Sequence, residues 1–450
     1  AFYLKIGEAH ENRILPSPSE IIFMPTIHIV GAGISGLSAA IRAARSGVRT
    51  IVYEAAGHAG GRARSLYDEK LGCIIDNGNH LLLGANKSTM TYLSDTCAQD
   101  MVKEIKPAVF PFLDAKTGES WRIQPGRAVP PAWLFSKSRR VPNTRTIEYL
   151  NQANRLRTSG KLDTVAHAVG TASPLFEKLW QPLSKAALNT DAFEASAQLM
   201  WHVVRETFLK GEKACRPWYF HKGLDAALVR PAVSSLLRQG GEIHFKTRLR
   251  SMDTQFHRVT ALSFSKGTVS IDSDDAVILA LPPEACAQIW PVAGAPSESK
   301  TILNVHFRLD NPIKLPWNLP FIGLINTEAQ WIFVRDNIVS LTVSAANNLT
   351  NRPNQEIASK LWKEVGMAIQ NVPTGLPLWR IIKERRGTFA QTPAQTNDRA
   401  TASTSLSNLF LAGDWTNTGM PATIDGSVTS GFIASDKARA AIQSGMRDVS

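Results

Sequence analysis

Apolar positions cluster into short β-branched runs and helical patterns, with related arrangements at both ends of the chain. Residues Thr26 to Val30 (TIHIV) form an apolar run that predicts a buried strand. Leu37 to Ser46 (LSAAIRAARS) carries apolar residues at helical spacing, and Gly47 predicts its end. Arg49 to Tyr53 (RTIVY) predicts the next strand, closed by Glu54. Far downstream, Asn408 to Ala412 (NLFLA) reads as another buried strand, and a helical pattern runs from just after Pro421 through Ala441. Between them, Gly240 to Leu249 reads as a turn and strand, and Asp275 to Pro283 (DAVILALPP) as a buried strand closed by two prolines. Helical patterns fill 161–210, including Thr171 to Leu188 and Ala192 to Lys210; they are expected to roof a hydrophobic cavity. Thr301 to Leu309 and Trp331 to Val343 read as strands for its floor. No internal repeat or low-complexity tract is visible.

The junction of the first strand and helix carries chemistry. Gly31-Ala32-Gly33-Ile34-Ser35-Gly36 gives one glycine for a tight turn (Gly31), one for backbone approach to a pyrophosphate (Gly33) and one for close helix–strand packing (Gly36). The helix N-terminus supplies amides and a positive dipole to the phosphates. Glu54, 23 residues after Gly31, is placed to accept hydrogen bonds from ribose hydroxyls. The order strand, glycines, helix, strand, acid predicts an α/β, Rossmann-like dinucleotide-binding fold.

Further elements select FAD over a nicotinamide. Gly60-Gly61-Arg62 offers bare amides and a fixed cation, and resembles the second flavin-binding signature of the amine oxidase and phytoene desaturase superfamily. Asp76-Asn77-Gly78-Asn79-His80 resembles the segment with which that superfamily returns beside the isoalloxazine ring, which implies roles there for Gly78, Asn79 and His80. At the C-terminal end, Gly413 and Asp414 are placed for the ribityl chain. The amides after Pro421, at Thr423 and Ile424, are expected to face the flavin pyrimidine and to stabilise negative charge on reduced flavin. Leu249 stands where the superfamily's backbone contacts adenine. No cysteine stands in the C-terminal segment, so FAD is expected to bind without a covalent link.

The chain is identified as similar to the hydroxysqualene dehydroxylases, also called squalene-associated FAD-dependent desaturases. The resemblance covers it from about Met24 and rests on EAAGHAGGRARS at Glu54 to Ser65, IDNGNHLLLGAN at Ile75 to Asn86, ERRGTFAQTP at Glu384 to Pro393 and LFLAGDWTNTGMPATIDGSVTSG at Leu409 to Gly431. It implies removal of an allylic hydroxyl from hydroxysqualene, giving squalene on a route to hopanoids, with hydride passing from reduced flavin to an allylic cation. Carotenoid-type desaturation, with hydride passing the other way, is the alternative. Amine oxidation is disfavoured, because Thr423 stands where related amine oxidases place a cage tyrosine. For the acid that protonates the hydroxyl, the first candidate is His80, with a histidine that only hydrogen-bonds the cofactor or its loop as the alternative reading, and the second is His306, which lies where related amine oxidases carry a lysine. Glu384 could serve only if buried, and Arg385 and Arg386 are read as solvated or structural. The FAD-binding domain is expected to be discontinuous, over 24–86, 216–298 and 396–450. An interleaved α+β substrate domain then spans 87–215 and 299–395. The electron donor is not legible.

Composition and charge narrow the setting. The 450 residues, 44% of them hydrophobic, exceed one ordinary domain. Four separated cysteines (Cys73, Cys97, Cys215, Cys286) form neither a disulfide framework nor zinc spacing, which fits a reducing cytoplasm. Residues Ala1 to Phe23 lack a secretory pattern and read as an extension before Met24. No run of about 18 apolar residues predicts a membrane span. The net charge of +12 suits an anionic surface, and no nucleic-acid-binding signature accompanies it. Val129 to Phe135 (VPPAWLF), followed by Lys137, Arg139, Arg140, Arg145, Arg155, Arg157 and Lys161, reads as a peripheral docking point on the inner face of the cytoplasmic membrane. A core-packing loop followed by a solvated basic helix is the equally weighted alternative.

Overall fold

The computed structural model describes residues 25–127, 131–369 and 372–448, with side chains described through residue 444. The proposed extension before Met24 and the start of the VPPAWLF segment lie outside the described residues.

Five short strands form one parallel sheet in the order Glu242–His244, Arg49–Tyr53, Thr26–Val30, Ala276–Leu279 and Leu409–Leu411. Every residue of Thr26–Val30 and Ala276–Leu279 is buried, as continuous apolar strands covered on both faces require. The first helix, Ile34–Ala44, starts three residues before the spacing predicted, because Gly33 takes the extended N-cap conformation and Gly36 already sits in its first turn. It packs on the last helix, Ile424–Asp448, where Gly431 allows close contact: a Cβ there would lie 2.1 Å from Ser38 Oγ and 2.2 Å from the Ser35 carbonyl oxygen.

The expected strand through Leu249 is two strands. Glu242–His244 leaves the parallel sheet, the chain reverses at Lys246 (φ 55°), and Leu249–Gln255 opens a separate three-stranded antiparallel sheet. The single strand read over Trp331 to Val343 is a hairpin, Trp331–Arg335 and Ile338–Val343, turning at Asp336 (φ 55°) and Asn337.

A second sheet has seven strands, in the order Leu378–Phe389, Ser299–Arg308, Ile338–Val343, Trp331–Arg335, Phe321–Ile325, Phe110–Asp114 and Ser120–Ile123. Helices Gln181–Leu188 and Ala197–Glu206 belong to an apolar cluster that also contains Phe112, Trp121 and Ile123 of this sheet. Among the described residues no helix is long and apolar enough to cross a membrane.

Candidate active site: a nucleotide groove continuous with an apolar pocket

A single cavity of about 970 Å³ runs from the edge of the parallel sheet to the face of the seven-stranded sheet. At the nucleotide end the glycines divide their work as the motif predicts. Gly31 (φ +106°) has the Ala280 carbonyl oxygen 2.4 Å from where a Cβ would stand, and a Cβ on Gly36 would lie 1.9 Å from the Gly31 carbonyl oxygen. Gly33 is different: an added Cβ would meet nothing within 4 Å. That open space adjoins the N-terminus of Ile34–Ala44, which has neither a capping side chain nor an acidic residue in its first turn. An uncapped helix N-terminus facing open space suits an anion. Gly61 (φ +56°) approaches from the other side, its Cβ position 3.3 Å from Gly33 Cα.

Charged groups complete this end. Glu54 lines the cavity while accepting hydrogen bonds from Ala32 N (2.8 Å) and Ala56 N (2.7 Å), which fixes the carboxylate and leaves it lone pairs for a ligand. Arg62 donates to Asp414 Oδ1 and to the Gly387 carbonyl oxygen, each at 2.7 Å. The Asp414 carboxylate raises the pKa of this guanidinium against the opposing cost of burial. Gly413 N donates to Ser430 Oγ (2.6 Å), tying the strand end to the last helix. Thr423 caps that helix by accepting from Gly426 N (3.1 Å), and both Thr423 and Ile424 line the cavity. Donors, dipole, cation and carboxylate therefore match what a dinucleotide with a pyrophosphate needs.

Gly78, Asn79 and His80 line the junction between the two ends. Asp76 anchors their loop by accepting from Ser65 Oγ (2.5 Å), Leu224 N (2.9 Å) and Arg335 Nη1 (2.7 Å). Burial lowers the pKa of His80 to about 4, with Asp76 opposing and Arg62 assisting. Its imidazole is neutral near pH 7. Glu384, also on the cavity wall, is partly buried.

One expected site residue is placed elsewhere. His306 does not line the cavity: it is 1% exposed, with Nδ1 2.8 Å from Ser340 Oγ, and burial lowers its pKa to about 4. Ile302, Asn304 and His306 share one face of their strand; Ile302 reaches the cavity, whereas His306, four residues on, lies where the Asp76–Asn77 segment covers that face. Leu249 is expected to act through its backbone; its side chain packs in a core with Val30, Ile51 and Tyr53, and Arg248 before it lines the groove.

The pocket end has a polarity gradient across the strands. The strand Leu378–Phe389 and the end of Ile338–Val343 contribute Glu384, Thr388, Thr342 and Ser344; the strands beyond contribute Trp331, Phe333, Phe110, Phe112 and Ile123. Leu179, Leu183, Ala186, Ala187 and Val203 form the opposite wall. His202, whose pKa burial lowers, also lines the cavity. Sequence reasoning singled out neither Thr342 nor His202. The turn at Asp336-Asn337 was the signal that would have placed Thr342 on its own strand.

A family model described as flavin containing amine oxidoreductase matches residues 34–438. The hydroxysqualene dehydroxylase of Rhodopseudomonas palustris is 42% identical over 417 residues, covering 92% of this chain and 99% of that protein. The chain belongs to the hydroxysqualene dehydroxylase family. It is thus a flavin-dependent oxidoreductase with the Rossmann-like fold of the flavin containing amine oxidoreductases. More distantly, a 15-cis-phytoene desaturase of an Oncidium hybrid is 20% identical over 475 residues, covering 95% of this chain and 79% of that one. The fold matches the solved structure of cyclohexylamine oxidase from Brevibacterium oxydans, with a TM-score of 0.66 at 16% identity, covering 93% of this chain and 99% of that one.

Proposed function

We propose that the chain removes the allylic hydroxyl of hydroxysqualene to leave squalene, using FAD bound without a covalent link. The observation that carries this reading is the cavity itself, a nucleotide groove opening without a break into a pocket walled by hydrocarbon. No cysteine lines that cavity among the described residues, which supports non-covalent binding. Glu54, Arg62, Asp414, Thr423 and Ile424 are the residues assigned to hold the cofactor. When bound in fully reduced form, FAD would supply a hydride and, on oxidation, one proton, which together turn the alcohol into hydrocarbon and water.

The remaining work falls to the chain. The C–O bond breaks as the protonated hydroxyl leaves as water, and the carbon left electron-poor must be kept from water. Phe110, Phe112, Trp331 and Phe333 exclude it from that end of the pocket. The polarity gradient orients the substrate, with its hydroxyl toward Thr342 and His80 and its hydrocarbon over the aromatic strands. Because burial keeps His80 neutral, we assign it a hydrogen-bonding, orienting role and not that of proton source.

Anaerobic, chemically reduced, FAD-loaded protein is expected to convert hydroxysqualene to squalene with matching flavin reoxidation. No squalene, with oxidised protein instead introducing double bonds into squalene, would move the assignment to desaturation.

For substrate delivery we assign the segment 135–162 to contact with an anionic bilayer. Phe135 (75% exposed) and Leu162 (80% exposed) bracket a helix, Thr146–Arg157, that exposes Ile147 and Leu150. Lys137, Arg139, Arg145, Arg155, Arg157 and Lys161 are exposed around them. Two parts of the sequence expectation change. Trp133 is buried against Tyr149 and Phe208, and Arg140 is buried, donating to the Leu134 carbonyl oxygen (2.6 Å). The apolar contribution to the surface comes from Phe135 instead.

A further inference from the structure

The cavity wall beside His80 holds a polar cluster whose hydrogen-bond directions can be fixed from one end to the other. Asn304, fully buried, has its Nδ2 3.0 Å from the Asn77 carbonyl oxygen. A carbonyl only accepts, so that end of the Asn304 amide must be the NH2 group, and its Oδ1 faces the other way. Thr342 Oγ1 lies 2.8 Å from that Oδ1. Since Oδ1 also only accepts, the Thr342 hydroxyl must spend its single hydrogen there. Asn79 Nδ2 lies 3.1 Å from Thr342 Oγ1 and 3.4 Å from Asn304 Oδ1, so it donates toward both acceptors. One lone pair of Thr342 Oγ1 then remains. Thr342 is 8% exposed and lines the cavity, as does Asn79.

We infer that Thr342 is the residue that recognises the substrate hydroxyl, by accepting its hydrogen, with Asn304 as the positioning residue that forbids Thr342 to donate. The inference rests on the dehydroxylase reading and specifies how that site tells its substrate from its product. A ligand with an O–H donor completes the cluster, and a hydrocarbon cannot. The geometry also leaves the oxygen lone pairs of the bound alcohol free to take up the proton that makes it a leaving group. His80 stands beside the cluster: a Cβ on Gly78 would lie 3.1 Å from His80 Nε2 and 3.6 Å from Asn304 Nδ2. Once the C–O bond is broken the hydrocarbon product retains no partner for Thr342, so the site favours exchange of product for a new alcohol.

The test is binding to the oxidised, FAD-loaded protein, which lacks the electrons for turnover, read by the ligand-induced change in flavin absorbance. Hydroxysqualene, its methyl ether and squalene are the three ligands. Wild-type protein is expected to bind the alcohol about three- to tenfold more tightly than squalene, the range for one net neutral hydrogen bond, with the ether, which has no donor, no better than squalene. Thr342→Val, nearly isosteric, is expected to bind squalene as wild type does and to lose the preference for the alcohol, while Thr342→Ser keeps it. Flavin content measured on each variant shows that the fold is intact. A preference that survives in Thr342→Val, or an ether bound as tightly as the alcohol, overturns the inference alone. Wild-type protein that binds no hydroxysqualene removes the dehydroxylase reading and this inference with it.

Discussion

His306 and Ser340 face each other across two neighbouring strands, and the imidazole is kept neutral by burial. Its folded pKa of about 4 lies below the ordinary histidine value of 6.5, so between those limits the unfolded chain binds the extra proton. Stability is therefore full above about pH 6.5 and is lost as pH falls toward 4, by roughly 3 kcal/mol from this residue at 1.4 kcal/mol per pH unit. His306→Asn, whose amide reaches the position of Nδ1, is expected to lose less stability than wild type between pH 7 and pH 4.5 in denaturant titrations. Equal losses would mean that His306 titrates alike in the folded and the unfolded chain. His80 has the same sign of shift and stays in both proteins, so the comparison isolates the deeper ring.

At the scale of elements, the two helices that clasp the parallel sheet meet through glycine. Gly431→Ala would force a Cβ against the Ser35 carbonyl oxygen, which is backbone and cannot move aside cheaply. We expect a net destabilisation of about 1–3 kcal/mol, the overpacking cost exceeding the helix-propensity gain. Gly366→Ala, on the exposed side of the helix Asn354–Ala368, meets only a Val372 methyl at 3.6 Å and should stabilise by up to about 1 kcal/mol. Chemical denaturation of both variants tests the contrast in sign. These contacts also show what a sequence can reveal. The glycines at 31, 33 and 36 and the strands flanking them were legible because each obeys a local rule of backbone space. His306 was misplaced because how far a cavity runs along one face of a strand depends on the segments, distant in the chain, that cover it. Thr342 escaped notice because its role arises only where three segments converge on one hydrogen-bond cluster.

At the scale of the molecule, charge and apolar exposure coincide. The segment 135–162 carries seven basic residues against Glu148 alone, half of the net charge of +12, among Phe135, Ile147, Leu150 and Leu162. Flotation with vesicles containing anionic lipid should recover the protein at low salt, with recovery falling as salt shortens the screening length below about 10 Å. Reversing Arg145, Arg155 and Arg157 to glutamate should abolish recovery; equal recovery with neutral vesicles would remove the electrostatic part of the assignment. The order of strands in the parallel sheet has a different consequence, for the birth of the protein. Thr26–Val30 lies at its centre, yet its neighbour Ala276–Leu279 and the outer Leu409–Leu411 are made hundreds of residues later, and the helix that covers Ile34–Ala44 begins only at Ile424. On the ribosome, the central strand must therefore wait, apolar and half-clothed, for partners encoded far downstream. Such long-range pairing slows folding and lengthens exposure to aggregation.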